Sequence, residues 1–521
     1  MATGVFALGY RASLVRGQRD QAAFRAVSDA RVTERATTLT GQPSALPLDR
    51  YSRLAGASAT AVIRTHAGTL GTGAGRDVAL LGAPASRLPD LPGWRADFAN
   101  TPIEVLARRL SAIPGYALAG DPVPPGARDL TLRLRIRGSS LSLTVIAQLA
   151  DGTFDFLSMG RNVGPGSVLL HARVPARWSG ARVVSVRLQT PTGEGAATLT
   201  GDSRLGSLTA SLAGGRTTVV TDLSRGWEAQ QGATTRRAGA SGIRLLYSLR
   251  GSLRATGTRR RQAGAAEPVP AMVSPDVAAQ ASGGDLLLRL DSGATIGVRP
   301  IARARLFPGM TGSFAVADAG RMFRAVNAET PGSALPNEVW LRLRPGADEP
   351  AVLRALGSPP FRLASAASRS GIERALEDDP LSRSVVWALL AASVLGLALG
   401  ALGLVLSVAA ELADESGELR ELEALGLRPR SLRRQIRLRA ALVAGIAVFF
   451  GLAGGVGLTR LITELVAVTA NATRPVPPLT AVQPWGQTLV LLAAVTFALA
   501  GIVAVQTRRA FRGPAAGRLH G

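Results

Sequence analysis

The sequence predicts a membrane protein: a mixed α/β extracytoplasmic domain with an inserted β-sandwich, followed by three C-terminal transmembrane α-helices. Three observations predict this fold. Residues 381–521 contain three long uncharged runs. The residues before them alternate between helical and two-residue apolar periodicity. Arginines are concentrated in the segments that join or follow the uncharged runs, which is the distribution that fixes the orientation of a membrane protein.

The three runs are long enough to cross a lipid bilayer, which needs about 20 apolar residues per helix. The predicted spans are 385–410, 440–458 (or on to 465) and 485–505. Trp485 stands at the start of the third run, where an indole can anchor a helix at the membrane interface. The spacings Gly396/Gly400 and Gly451/Gly455 are of the kind that lets two membrane helices approach closely.

Arginine placement predicts a multi-pass protein of the cell membrane. The loop 411–439 carries seven arginines, the loop 466–484 carries one, and the tail after 506 carries four. Short basic loops stay in the cytoplasm. The loop 411–439 and the C-terminus are therefore expected in the cytoplasm, and the large region 11–380 outside it.

The first ten residues are apolar but too short to span a bilayer. The nearest arginines come after this apolar run, whereas the basic residues of a signal peptide come before its apolar segment. Residues 1–10 are therefore interpreted as the stub of an incomplete span. Residues 11–127 are predicted as the first extracytoplasmic α/β part, with a strand in "ATAVIRTHA" and a helix in "TPIEVLARRLSAI".

From residue 128 the apolar period changes to two, which indicates strands. Leu130, Leu132, Leu134 and Ile136 alternate with polar residues, and Asp151-Gly152 has the composition of a hairpin turn. Many short alternating strands predict an inserted β-sandwich over 128–256.

Residues 257–380 are predicted to continue the α/β part, and 381–521 to form the membrane domain. The three consecutive arginines 259–261 are expected in a solvated link.

Composition excludes several classes of function. All 60 basic residues are arginine, so no phosphate-binding loop ending in Gly-Lys-Ser/Thr exists and the chain is not itself an ATPase of that type. There is no cysteine, and only His66, His171 and His520 are available as imidazole ligands. We therefore expect no metal, no cofactor and no enzymatic activity. Aromatic residues make up 4% of the chain despite its charge of +24, which argues against nucleic-acid binding.

The predicted cytoplasmic loop contains a short amphipathic helix. Leu419, Leu422 and Leu425 recur every three residues and form an apolar stripe, and the opposite face is charged. Gly426 follows as a helix stop, and Ser431 is expected to cap the next helix. One interpretation is a solvated turn that carries topogenic arginines. The other is a docking helix whose stripe fits a groove on a partner.

Taken together, the sequence resembles the FtsX-like (MacB-type) permeases of ABC transporters, in the long actinobacterial form. The order of outer domain, span, charged loop, span, short loop and span is similar. So is the loop pattern E-I-x-x-L-R-A-L-G, with Glu423 standing where arginine is usual. The positions that match the pattern are Glu418, Leu419, Leu422, Ala424, Leu425 and Gly426. The phrase "GIERALEDDPLS" before a span is also similar. Such permeases have four spans, so the chain looks like a unit without its first span.

The resemblance implies a permease-like subunit driven by a separate cytoplasmic ABC ATPase, with the six matching loop residues as the coupling helix. It also implies a second permease copy or half-permease in the bilayer. The cargo would be a lipid, lipoprotein, peptide or antibiotic, exported or extracted. One alternative is a mechanotransmission subunit that regulates an extracytoplasmic enzyme or sensor. Another is a membrane-anchored protein whose sandwich binds a glycan or lipid.

Overall fold

The computed structural model divides into two compact units. It describes residues 1–34, 51, 53–69, 77–110, 112–113, 115–190, 199–240, 242–249, 255–264, 267–281, 284–291, 293–359, 361, 364–414, 429–465 and 474–510. One unit, here the helical unit, comprises Met1–Arg25 and Arg369–Gly521. The other, here the α/β unit, comprises Ala26–Ser368.

Four described helices of the helical unit span 25 to 37 residues, whereas the described helices of the α/β unit span 6 to 11. Along the described chain they are α1 (Ala2–Ala26), α2 (Ile103–Arg109), α3 (Pro275–Gln280), α4 (Ala319–Glu329), α5 (Glu349–Leu356), α6 (Arg369–Glu377), α7 (Pro380–Asp414), α8 (Pro429–Leu465) and α9 (Trp485–Ala510). Three short 3-10 helices lie at Ala85–Asp90, Ala96–Phe98 and Ala176–Trp178. The predicted stub 1–10 is thus the first part of a helix that continues to Ala26.

The strands fall into three consecutive groups along the chain. The first group is β1 (Ala30–Glu34), β2 (Ala57–Thr69) and β3 (Asp77–Ala83). The second group is β4 (Asp121–Pro122), β5 (Ala127–Arg137), β6 (Leu141–Gln148), β7 (Phe154–Val163), β8 (Gly166–Arg173), β9 (Arg182–Gln189), β10 (Leu199–Leu212), β11 (Thr217–Thr221), β12 (Trp227–Ala229), β13 (Ala233–Ala238), β14 (Gly242–Leu249) and β15 (Ala255–Arg260). The third group is β16 (Val269–Val273), β17 (Leu286–Leu290), β18 (Thr295–Arg303), β19 (Phe314–Asp318), β20 (Glu338–Leu343) and β21 (Ala364–Ser368).

The first and third groups form one sheet, here called the large sheet. Within the described residues its strand order is β17-β18-β16-β19-β3-β2-β20-β1-β21. The pairs β16/β18 and β3/β19 are parallel and the other neighbours are antiparallel. Segments on both sides of the middle group therefore build a single sheet, and the mixed α/β character predicted for the N-terminal domain is confirmed.

The middle group of strands forms two packed sheets. Among the described strands, the front sheet has the order β13-β14-β10-β5-β8, with β11 beside β10. The back sheet has the order β12-β15-β9-β6-β7, with β4 beside β9. Leu130, Leu132, Leu134 and Ile136 all face the core between the sheets, as their alternation predicted. The predicted turn joins β6 to β7, with Gly152 at φ 84°.

Asp318 at the start of α4 ties three segments of the α/β unit together. One of its carboxylate oxygens accepts hydrogen bonds from the backbone nitrogens of Arg321, at 3.2 Å, and Ile113, at 3.0 Å. The other accepts from the nitrogen of Ala85 at 3.1 Å. The side chain thus caps the helix and satisfies two loop donors that would otherwise be buried without partners.

A buried ion pair joins β2 to β20 in the large sheet. The carboxylate of Glu338, which is 2% exposed, accepts hydrogen bonds from Arg64 Nε at 2.6 Å and Arg64 Nη2 at 3.1 Å. The indole nitrogen of Trp340 donates to the same carboxylate at 2.6 Å. A charge in this position is stable only because these donors replace water.

The expectation that Arg259 lies in a solvated link is wrong. Thr258–Arg260 belong to β15, which pairs with β9 and β12. Arg259 is largely buried and forms ion pairs with Glu228, at 3.2 Å, and with Glu329 at the end of α4. The arginine run can form part of a strand because the carboxylates of Glu228 and Glu329 compensate the buried charge of Arg259.

Two strands at one edge of the large sheet adjoin the helical unit in sequence. β1 follows α1 after three residues, and β21 immediately precedes α6. They pair antiparallel from Ala30↔Ser368 to Glu34↔Ala364. The hydroxyls of Thr33 and Ser365 add a hydrogen bond of 2.8 Å across the pair.

Candidate functional site

Three helices are long and apolar enough to cross a bilayer, among the residues that the structure describes. Their apolar segments are Pro380–Ser407, Ala441–Ile462 and Trp485–Val505, with mean hydropathies of 2.4, 2.2 and 2.6. The prediction of three long apolar helices in this region is therefore confirmed. Large apolar side chains such as Trp387, Phe450 and Phe497 are exposed on them. Exposure of this kind is expected for a surface that faces lipid or another membrane helix.

The predicted coupling helix belongs to the segment between α7 and α8. Its six residues, Glu418, Leu419, Leu422, Ala424, Leu425 and Gly426, lie in 415–428, outside the described residues. Before this segment α7 ends at Asp414, and after it α8 begins at Pro429. The prediction that Ser431 caps α8 is wrong, because the helix has already begun two residues earlier. Proline is favoured in a first helical turn, where its missing N–H donor is not needed.

The N-terminal helix α1 packs directly on two glycines of α8. A Cβ atom on Gly455 would lie 2.6 Å from Val5 Cβ and 2.7 Å from the carbonyl oxygen of Ala2. A Cβ atom on Gly451 would lie 2.6 Å from Met1 Cβ. Both distances are too short for any side chain, so this glycine pair is the seat of α1.

The other glycine spacing behaves differently. A Cβ atom on Gly396 would meet only Thr3 Oγ1, at 3.7 Å, and one on Gly400 would have no described neighbour within 4 Å. The Gly396/Gly400 pair is thus no close-packed seat for a described helix.

A polar cluster lies beside this seat, where α1 meets α8 and the segment before α9. Ser13 Oγ accepts a hydrogen bond from the backbone nitrogen of Val482 at 2.8 Å and donates one to the carbonyl of Gly9 at 2.8 Å. A Cβ atom on Gly9 would lie 2.6 Å from Thr459 Oγ1 and 2.7 Å from Gln483 Oε1. These contacts join specific positions of the two helices. They therefore favour one rotation of α1 about its own axis relative to α8.

Beyond the cluster, α1 is held by α6. Gln18 Nε2 donates to the carbonyl oxygen of Leu376 at 2.8 Å, and Arg19 Nε forms an ion pair with Glu373 at 3.0 Å. The helical unit therefore binds α1 at both ends, through glycines near residue 5 and through side-chain bonds near residue 18. Periodicity did not predict this contact, because the polar residues after Tyr10 do not show that the helix continues.

We expect Gly455→Val to displace α1 from α8. The new side chain would overlap Val5 and the carbonyl of Ala2 and destabilise the helical unit by about 1–3 kcal/mol. Gly457→Val is the matched control, because a Cβ atom on Gly457 would have no described neighbour within 4 Å. Thermal melts of both full-length variants in detergent measure the effect. Equal melting temperatures for the two variants would show that α1 is not seated on Gly455.

Among the described residues, no group of three or more His, Asp or Glu side chains could hold a metal ion. The molecule instead has three bilayer-length helices, a helix packed on their glycines, and a large α/β unit ahead of them in sequence. This arrangement is that of a membrane protein with a large α/β unit.

Comparison with known families supports a narrower assignment. Residues 390–515 match the family model described as FtsX-like permease C-terminal. This part of the chain is therefore an FtsX-like permease domain, in agreement with the resemblance seen in the sequence. The match covers the predicted coupling segment and all of α8 and α9. No curated protein matches the chain.

Proposed function

We propose that the chain is the permease-like transmembrane subunit of an ABC transporter and that a separate cytoplasmic ATPase drives it. The observation that carries this proposal is the FtsX-like match over 390–515. The helical unit supports it as well. Its three bilayer-length helices bury few of their apolar residues among themselves, which leaves surface for lipid and for a second permease copy or half-permease.

In this proposal, ATP turnover moves the segment between α7 and α8, and the large α/β unit responds on the other side of the membrane. The cargo is a lipid, lipoprotein, peptide or antibiotic, exported or extracted. Co-expression of the full chain with the ABC ATPase encoded beside it tests the proposal. The ATPase should co-purify in detergent, and its ATP turnover should depend on the chain. An ATPase that neither co-purifies nor changes its turnover would contradict it.

Mechanotransmission is the second candidate, and one observation favours it. Arg19 and Gln18 tie α1 to α6. Along the chain, α1 leads into β1, and α6 directly follows β21. Such a connection suits a subunit that passes motion to an extracytoplasmic enzyme or sensor without moving cargo. Accumulation of a cargo in a deletion strain would favour transport, whereas loss of an outer enzyme activity alone would favour regulation.

The proposed topology makes a direct prediction. Because the chain has no cysteine, single cysteines report their side of the membrane without background. A membrane-impermeant thiol reagent should label Ser139→Cys in intact cells, since residue 139 joins β5 to β6 in the α/β unit. It should label Ser431→Cys, near the start of α8, only after the cells are lysed. The reverse pattern would show that the arginine-rich loop is outside.

A further inference from the structure

The outward face of the front sheet carries a row of arginines that crosses four strands. Arg135 on β5 lies directly opposite Arg204 on β10. Arg204 lies opposite Arg244 on β14, and Arg244 lies opposite Arg236 on β13. Neighbouring strands are about 4.8 Å apart, so the row is about 14 Å long. Arg133 extends the same face along β5, and we call these five side chains the arginine face.

The row carries far more positive than negative charge. Like charges placed directly opposite each other destabilise a sheet, and here three such pairs stand in succession. Arg244 is compensated, because it donates to both carboxylate oxygens of Asp202 at 2.6–3.0 Å. Those bonds, with the charges of Arg137 and Arg204, hold the pKa of Asp202 below its usual range. Within the described part of the chain, Arg133, Arg135, Arg204 and Arg236 form no ion pair.

The face is also concave. A groove of about 610 Å³ runs over it, and the described residues that line it include no acidic side chain. Among its described lining residues, the only large apolar one is Leu205, which points into the sandwich core and is 1% exposed. The described lining of the groove thus offers guanidinium groups as hydrogen-bond donors and no exposed large apolar side chain.

We propose that the arginine face binds a linear phosphate polymer, whose successive phosphates lie across the strands from Arg135 to Arg236. Phosphate fits the row better than carboxylate, because a tetrahedral group can accept from two neighbouring forks at once. A bilayer surface fits less well, since membrane-binding faces usually insert aromatic or aliphatic side chains. Single-stranded nucleic acid also fits less well, since the described residues that line the groove include no aromatic side chain on which a base could stack.

The test uses the full chain in zwitterionic nanodiscs and linear inorganic polyphosphate as the probe. The double variant Arg135→Ser/Arg204→Ser should weaken binding by about two orders of magnitude, because each charge-assisted hydrogen bond contributes about tenfold or more. Arg161→Ser/Arg216→Ser is the matched control. Both of its arginines are exposed in the sandwich outside the row, and it loses the same charge. The control should bind as the native chain does.

Thermal melting separates a binding defect from a folding defect. Without probe, the row variant should melt at or above the native temperature, because its opposed charges are relieved. Polyphosphate should then raise the melting temperature of the native chain and the control, but not of the row variant. If polyphosphate affinity fell equally in both double variants, the loss of net charge alone would explain the effect, and the proposal would be overturned. So would tighter binding, through the same row, to anionic vesicles or single-stranded DNA.

Discussion

Replacing Leu422 by Asp should abolish co-purification of the ATPase with the full chain. Leu422 is the middle leucine of the apolar stripe in the predicted coupling helix, which lies outside the described residues. At a docked contact the variant would bury an unpaired carboxylate, a loss of several kcal/mol in order of magnitude. Affinity purification through a tag on the chain, followed by measurement of ATP turnover, gives the result.

Two controls make this outcome specific. Glu421→Ala removes a charge from the polar face of the same helix and leaves the stripe intact, so the ATPase should still co-purify. The Leu422→Asp chain should insert in the membrane in native amount, and its α/β unit should show the native protease-resistant fragment. Unchanged pull-down and ATP turnover in the Leu422→Asp variant would mean that the stripe does not dock on the ATPase.

The second large effect is expected in the large sheet. Glu338→Ala removes the carboxylate that compensates Arg64, whose side chain is 22% exposed, and leaves its guanidinium without that partner. Breaking a buried pair in this way destabilises a domain by about 3–5 kcal/mol. Asp285→Ala is the matched control. It breaks the pair between Asp285 and Arg299 at 2.9 Å, in which both side chains are exposed, and should change the melting temperature little.

Acid should reveal the same ion pair. Burial acts to raise the pKa of Glu338, but the bonds from Arg64 and Trp340 outweigh it, so the pKa is lowered. A carboxylate with a lowered pKa stabilises the fold above its unfolded pKa, and this stabilisation is lost as pH falls through the folded value. The native chain should therefore lose stability below about pH 4 more steeply than Glu338→Ala. Parallel acid-melting curves for the two chains would contradict the assigned role.

Periodicity predicted which faces of the elements are buried, but not which strands become neighbours. Leu130 to Ile136 were placed correctly in the sandwich core because alternation alone decides burial on a strand. Nothing in "ARVVSVRLQT" shows that it pairs with β6 and β15 rather than with β5. The large sheet was harder still, since β3 and β19 are parallel neighbours separated by the whole sandwich. Such pairings depend on long-range packing.

The charge of a residue was the least reliable predictor of its exposure to solvent. Arg259 was expected in solvent because three consecutive arginines are usually solvated, yet Glu228 and Glu329 lie far from it in sequence and meet it only in the fold. The arginine row was invisible for the same reason, since its members come from four separate strands. Glycine spacing singled out Gly451 and Gly455, which do pack closely, but it equally singled out Gly396 and Gly400, which have no close described neighbour.

The paired edge strands have a mechanical consequence. The connections from α1 into β1 and from β21 into α6 meet the ladder at one end, at Ala30↔Ser368. If the two connections are pulled apart, the load falls on that first pair, and the ladder opens one bond at a time like a zipper. If both connections are pulled in the same direction along the strands, all residue pairs of the ladder are loaded at once. β20 then shares the load, because it pairs with the other side of β1. The β1/β21 edge thus opens easily when its two connections are pulled in opposite directions, and it resists when both are pulled in the same direction.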